Sequence, residues 1–149
     1  MTPDCIDILM VDDNPADVDL AREALDETHR PYRLQSVPDG EEALSFLTHK
    51  GAYTQAVTPD LLFLDLNLPR KDGRHVLAEM KRDPQLSRIP VVVFTTSRAF
   101  SDVVGSYELG ANCYVRKPGT LPEFLATVRE VSDFWLRHAI LPQKRRTHE

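Results

Sequence analysis

Short apolar runs in this chain alternate with stretches whose apolar residues recur every three to four positions. Ile6 to Val11 reads IDILMV and runs into Asp12-Asp13-Asn14-Pro15. Val18, Leu20, Ala21, Ala24 and Leu25 then follow at helical spacing. Asn14 before Pro15 fits an N-cap with proline at the first helical position. Tyr32 to Val37 alternates apolar and polar residues, as a partly exposed strand does, and Asp39-Gly40 breaks it. Ala43, Leu44, Phe46 and Leu47 predict a short amphipathic helix over Glu42 to His49, and 50–59 reads as loop. Leu61-Leu62-Phe63-Leu64 is continuously apolar, which suits a strand covered on both faces, and Pro90 to Phe94 is a second such run. Between them Val76, Leu77 and Met80 predict a helix closed by Asp83-Pro84. Val103, Val104, Tyr107 and Leu109 predict another that stops at Gly110, and Cys113 to Arg116 reads as a short fifth strand. The last helix is predicted from about Leu121 to Ile140, with a short polar tail from about residue 141.

Strand and helix thus alternate five times, which argues for a parallel sheet with helices on both faces. Right-handed crossovers and short loops then favour a doubly wound, flavodoxin-like α/β fold with strand order 2-1-3-4-5. No repeat, low-complexity segment or linker divides 1–149, so a single domain is expected. With 42% hydrophobic and 28% charged residues, 149 positions can bury one core without disulfides or metals. A net charge of -5 offers nucleic-acid phosphates no attraction. The three charges of Lys144-Arg145-Arg146 would release few counterions. The first apolar run is too short for a signal peptide, and none approaches the roughly 20 residues of a membrane span. Cys5 and Cys113 lie on well-separated strands in that order, so no disulfide and a reduced, cytoplasmic setting are expected. The five histidines show no ligand spacing.

In open parallel sheets function gathers beyond the carboxyl ends of the strands. There the sequence places Asp12 and Asp13 after the first strand, Asp65 after the third, Thr95 after the fourth and Lys117 after the fifth. Any one of these is ordinary turn chemistry; their convergence from four strands marks a site. Three adjacent carboxylates repel one another unless a cation joins them. All-oxygen donors suit Mg²⁺, which prefers carboxylates, water and a phosphate. Lys117 can pair with a carboxylate or bind a phosphoryl oxygen. A carboxylate can itself be the nucleophile and become an acyl phosphate. Asp65, at the centre of the sheet, is the natural candidate, with Asp12 and Asp13 left as metal ligands and Thr95 and Lys117 on the phosphoryl oxygens.

These residues resemble the receiver domains of two-component response regulators over essentially the whole chain. The likeness rests on Val11-Asp12-Asp13, Asp65-Leu66-Asn67-Leu68-Pro69 with Asp72-Gly73, Thr95, and Lys117-Pro118, in order and at the family's spacing. It implies a CheY-like form of the fold, with Asp65 phosphorylated by a histidine kinase. It also implies Mg²⁺ held by Asp12, Asp13, Asp65 and the backbone carbonyl of Asn67. Thr95 and Lys117 would hold the phosphoryl group, Thr95 and Tyr114 would act as the switch pair, and the Lys117-Pro118 bond would be cis. The runs DLNLPRKDGR (65–74), RIPVVV (88–93), SYEL (106–109) and NCY (112–114), and Phe134-Trp135, look like single-domain regulators paired with phytochromes. That likeness implies a phytochrome-type sensor kinase and a homodimer through the fourth helix, fifth strand and fifth helix. The downstream protein target stays open.

Two positions depart from the family pattern: Gly119 replaces a bulky apolar residue, and Thr96 a small one. Ser97 either tunes dephosphorylation or merely leads the next helix. Tyr107, Phe134, Trp135 and Leu136 are expected to form a contact patch or to be partly core, with Tyr114 beside them. The few residues after the last helix are too few for a DNA-binding fold, so the chain is expected to act through its own surface, with no enzymatic activity beyond its own phosphorylation and dephosphorylation. An aspartyl phosphatase would want an acid where Asn67 stands, and a flavodoxin a hydroxyl-rich loop where Asp12-Asp13-Asn14-Pro15 would repel phosphate. A receiver paired with another kinase, or one acting without phosphorylation, remains as the alternative.

Overall fold

A computed structural model describes residues 5–142. The expected tail residues Lys144, Arg145 and Arg146 lie outside that range. The elements run β1 (Ile6–Val11), α1 (Pro15–Asp26), β2 (Tyr32–Val37), α2 (Gly40–Leu47), β3 (Leu61–Leu64), α3 (Gly73–Arg82), β4 (Val91–Thr95), α4 (Phe100–Glu108), β5 (Cys113–Arg116) and α5 (Leu121–Asp133). A π-helical turn, Phe134–His138, extends α5, and short 3-10 turns lie at Gly51–Tyr53 and Leu86–Arg88. All neighbouring strands pair in parallel, and the sheet order is β2-β1-β3-β4-β5, as the sequence predicts. The long final helix is shorter than expected, ending at His138 rather than about Ile140.

The period of two along each strand sorts the core into two layers. Leu9, Val11, Leu62, Leu64, Val91 and Val93 face the layer that also holds Phe46 of α2 and Val76, Leu77 and Met80 of α3. Ile8, Met10, Leu61, Phe63, Val92 and Phe94 face α1 and α5 through Ala21, Leu25, Phe124 and Val128. Every residue of β3 is buried, which is why that run carries no polar position until it leaves the sheet. Each leucine buried this way stabilises the fold by about 1.5–3 kcal/mol relative to exposure. β2, at one edge, exposes Arg33, Gln35 and Ser36, matching its alternating sequence.

Caps set where the helices start, and with them the loops at the carboxyl edge. Asn14 accepts from the N–H groups of Ala16 and Asp17, Asp39 from Glu42, and Asp72 from His75. Two glycines follow such caps because backbone comes too close for a side chain. A Cβ on Gly40 would stand 1.8 Å from the Lys71 carbonyl oxygen, and one on Gly73 would stand 2.3 Å from that of Asp65. The loop between β3 and α3 is therefore pinned at both ends. Cys5 precedes β1 and Cys113 lies in β5, three strands away, and both are free thiols. Among the described residues no helix is long and apolar enough to cross a membrane.

Candidate functional site

Four strand ends bring the expected side chains together. Asp12 and Asp65 leave the buried ends of β1 and β3, tied by the Asp65 N–H donating to the Val11 carbonyl at 3.0 Å. Thr95, the last residue of β4, is fully buried, and its carbonyl accepts the Lys117 N–H at 2.7 Å. Lys117 thus enters the site already anchored to the neighbouring strand.

Its ammonium is the centre of the cluster. Nζ donates to Asp12 Oδ2 at 2.7 Å, Asp17 Oδ2 at 2.9 Å and Asp65 Oδ2 at 3.0 Å. Nζ also stands over the face of the Phe94 ring, 5.8 Å from its centroid. Burial alone would favour the neutral amine, but the bonds to Asp12 and Asp17 and the charges of Asp12 and Asp65 outweigh it, so the lysine stays charged well above its usual range. Asp12 shows the other side of the balance. Burial pushes its carboxyl up, and the Lys117 bond with the Asn14 N–H, 2.9 Å from Oδ1, brings it only part of the way back. One ammonium does not neutralise the carboxylates gathered here.

Oxygens of Asp12, Asp13 and Asp65 lie within 4.8 Å of one another, two of these residues buried and Asp13 exposed at the mouth. Hard oxygen donors with no nitrogen or sulfur among them fit a magnesium-like divalent cation. Asn67 stands exposed at the rim, and its N–H donates to Asp65 Oδ1 at 3.2 Å. That bond fixes the turn on which its carbonyl lies.

The loop after Asp65 is braced from outside. Arg70, at φ +69°, pairs with the buried Asp39 at 3.3 Å and with Glu41 at 2.8 Å. A non-glycine residue in the left-handed region costs of order 1–3 kcal/mol and persists only where its surroundings enforce it. The two carboxylates at the start of α2 enforce it here.

Neither Asp17 nor Arg70 stands out in the sequence. Asp17 reads there as an ordinary acid in the first turn of a helix, and only the five-residue offset from Asp12 hints at a shared edge. One expectation is corrected: the Lys117-Pro118 bond is trans. A tertiary amide prefers trans by about 0.5–1 kcal/mol, and here the trans chain already brings Nζ to all three carboxylates. A Cβ on Gly119 would meet only open space, so the glycine is not required by crowding.

The expected contact patch divides. Tyr107 and Phe134 are exposed, whereas Trp135 is half-buried against the α1–α5 core layer and Leu136 is core. The helical period that turns Phe134 outward turns Leu136 in. Tyr114 packs partly against the other layer, its hydroxyl donating to the Ser97 carbonyl at 3.2 Å and its N–H to the Tyr107 hydroxyl at 3.2 Å.

Comparison with known proteins agrees with this fold. The sequence profile of the response regulator receiver domain matches residues 8–129. Response regulator Rcp1 of Synechocystis sp. is 46% identical over 135 residues, covering 91% of this chain and 92% of that protein. The crystal structure of the Mn(2+)-bound form of Rcp1 superposes with a TM-score of 0.90 at 45% identity, covering 93% of this chain and 99% of that one. The phosphorylated cyanobacterial phytochrome response regulator RcpA gives 0.89 at 47% identity, with the same coverage.

Proposed function

The chain belongs to the response regulator receiver family, the phosphoacceptors of two-component signalling, and from that premise we propose that Asp65 is its phosphorylation site. One observation carries the reading: the Lys117 ammonium bridges Asp65 to Asp12 inside a cluster of carboxylates with oxygens within 4.8 Å. A carboxylate oxygen of Asp65 attacks the phosphorus of a phosphohistidine, forming a P–O bond as the P–N bond breaks. The departing imidazole keeps that electron pair and takes up a proton. Lys117 follows the charge from the carboxylate to the phosphoryl oxygens, and the Thr95 hydroxyl donates to another of them. Asp12, Asp13, Asp65 and the Asn67 carbonyl would hold Mg²⁺, which when bound would neutralise phosphoryl charge. Beyond forming and losing this acyl phosphate, we assign the chain no enzymatic activity.

The donor we propose is a phytochrome-type sensor kinase, because the relatives named above include a phytochrome response regulator. Residues 1–149 are read as one receiver domain, acting in the cytoplasm through a changed α4–β5–α5 surface that also forms a homodimer. Exposed Tyr107 and Phe134 on that surface support the reading. Thr95 and Tyr114 are the switch pair.

Acetyl phosphate with Mg²⁺ should add one phosphate to the intact mass, and the adduct should vanish in Asp65→Asn and in EDTA. No adduct in the wild type, or one that survives Asp65→Asn, overturns the assignment. Light scattering should find a dimer; a monomer at every concentration, with and without a phosphate mimic, removes that part.

A further inference from the structure

Phe94 precedes Thr95 in β4, and the strand's period of two turns its ring into the layer of α1 and α5. It is 5% exposed, and its ring meets that of Phe124 from α5 with centroids 5.3 Å apart and planes tilted by 49°. Lys117 Nζ stands over the same ring, 5.8 Å from its centroid. The ammonium is therefore met by carboxylates of Asp12, Asp17 and Asp65 and, separately, by an aromatic face. Beside the ring lies a void of about 10 Å³, lined by Ala21, Phe63, Val92, Phe94, Val128 and Val131. Every residue of that lining is apolar, so removing the ring enlarges a dry space and brings the ammonium no substitute partner.

We propose that Phe94 is a positioning residue for Lys117, its ring face holding the ammonium at the edge where the oxygens of Asp65 lie. This rests on the reading of Asp65 as the phosphoacceptor and of Lys117 as a phosphoryl-binding group. An ammonium over a ring face is attracted by the negative charge of the π cloud, more strongly where water is excluded. Lys117 is buried, so its ammonium meets that condition. A lysine carries its charge on a flexible four-carbon stem, so its contacts decide where Nζ stands. Two of those contacts, Asp12 and Asp65, also belong to the cluster of carboxylates proposed to hold the metal, and Asp65 changes when it takes up a phosphoryl group. The ring neither ligates metal nor takes part in transfer. Its hold on Nζ is therefore the same before and after transfer, and losing it loosens the lysine in either state.

The test reads the full chain in two ways, with thermal unfolding measured alongside. By NMR in EDTA, the Cε protons of Lys117 should be shifted upfield by the Phe94 ring and should lose that shift in Phe94→Leu and Phe94→Met. By intact mass with acetyl phosphate and Mg²⁺, both variants should form the adduct about fivefold more slowly than the wild type. Phe94→Tyr, which keeps the ring face, should stay within about twofold of it. Val128→Ala, which widens the same void from α5, should lower the unfolding temperature and leave the rate unchanged. Wild-type rates in both Phe94→Leu and Phe94→Met, or Lys117 protons unshifted in the wild type, overturn the inference while the wild-type adduct upholds the phosphoacceptor reading. Equal slowing in Val128→Ala, or in Phe94→Tyr, overturns it too, because packing and not the ring face would then set the rate. Wild-type protein that forms no adduct overturns the phosphoacceptor reading, and the inference falls with it.

Discussion

Lys117 Nζ and Asp65 Oδ2 stand 3.0 Å apart across 52 residues of chain, and Lys117 simultaneously holds Asp12 and Asp17. The lysine is therefore part of the fold itself, bound to three carboxylates from two strand ends and a helix. It is the cation that allows acidic side chains to be buried at one sheet edge.

Removing that cation leaves buried carboxylates unpaired. Lys117→Ala should lower the unfolding free energy by about 3 kcal/mol in EDTA. Added Mg²⁺ should restore more stability to the variant than to the wild type, because the ion then supplies the missing charge. Urea denaturation with and without Mg²⁺ measures both effects. An unchanged midpoint in EDTA would show that the ammonium contributes nothing to the fold.

Asp17 binds Lys117 from α1 but lies outside the set of carboxylate oxygens within 4.8 Å. Asp17→Asn should therefore keep the acetyl phosphate adduct and change its rate of formation by less than about tenfold, whereas Asp65→Asn should abolish it. Time-resolved intact-mass spectrometry separates the two. Loss of the adduct in Asp17→Asn would move Asp17 into the phosphoryl-transfer machinery.

Gly73 is needed because of the Asp65 carbonyl, 2.3 Å from where its Cβ would stand, and Leu66 Cα, 2.8 Å away. Both are backbone atoms that cannot rotate aside. Gly73→Ala should cost about 1–3 kcal/mol by forcing the loop outward. It should also weaken Mg²⁺ binding, since the same loop carries Asn67. Calorimetric Mg²⁺ titration and urea denaturation check the pair; wild-type values for both would mean the loop yields freely.

Two tyrosines report on the fold at high pH. Burial, with the 2.5 Å bond to Asp26, pushes the Tyr32 phenol up to about 12, and the bond to Glu42 with burial does the same for Tyr53. Each folded value lies above the ordinary 10.0. The protonated phenols thus contribute stability that is fully present below about pH 10 and lost as pH rises toward 12. Tyrosinate absorbance should show ionisation near pH 12 that loses a component in Tyr32→Phe and another in Tyr53→Phe. Absence of that component in the wild type would contradict the two bonds.

The parallel sheet and its order were legible because β3 and β4 are buried on both faces, which leaves an unbroken apolar run in the sequence. Asp12, Asp13, Asp65, Thr95 and Lys117 were legible for a related reason: each stands at or directly beyond the carboxyl end of a strand, so strand order alone assembles them. Sequence therefore determined the fold class, the edge at which chemistry gathers and the family. It did not determine partners reached across elements. Asp17 and Arg70 sit in a helix turn and a loop, where acids and bases are common, and their roles depend on side-chain reach to Lys117 and Asp39. The trans Lys117-Pro118 bond, the inward turn of Leu136 and the bonds that join Ser97 and Arg74 to Asp102 were likewise decided by tertiary structure. Periodicity records which face of an element is buried, whereas the angle and distance between elements are set by packing of the whole core.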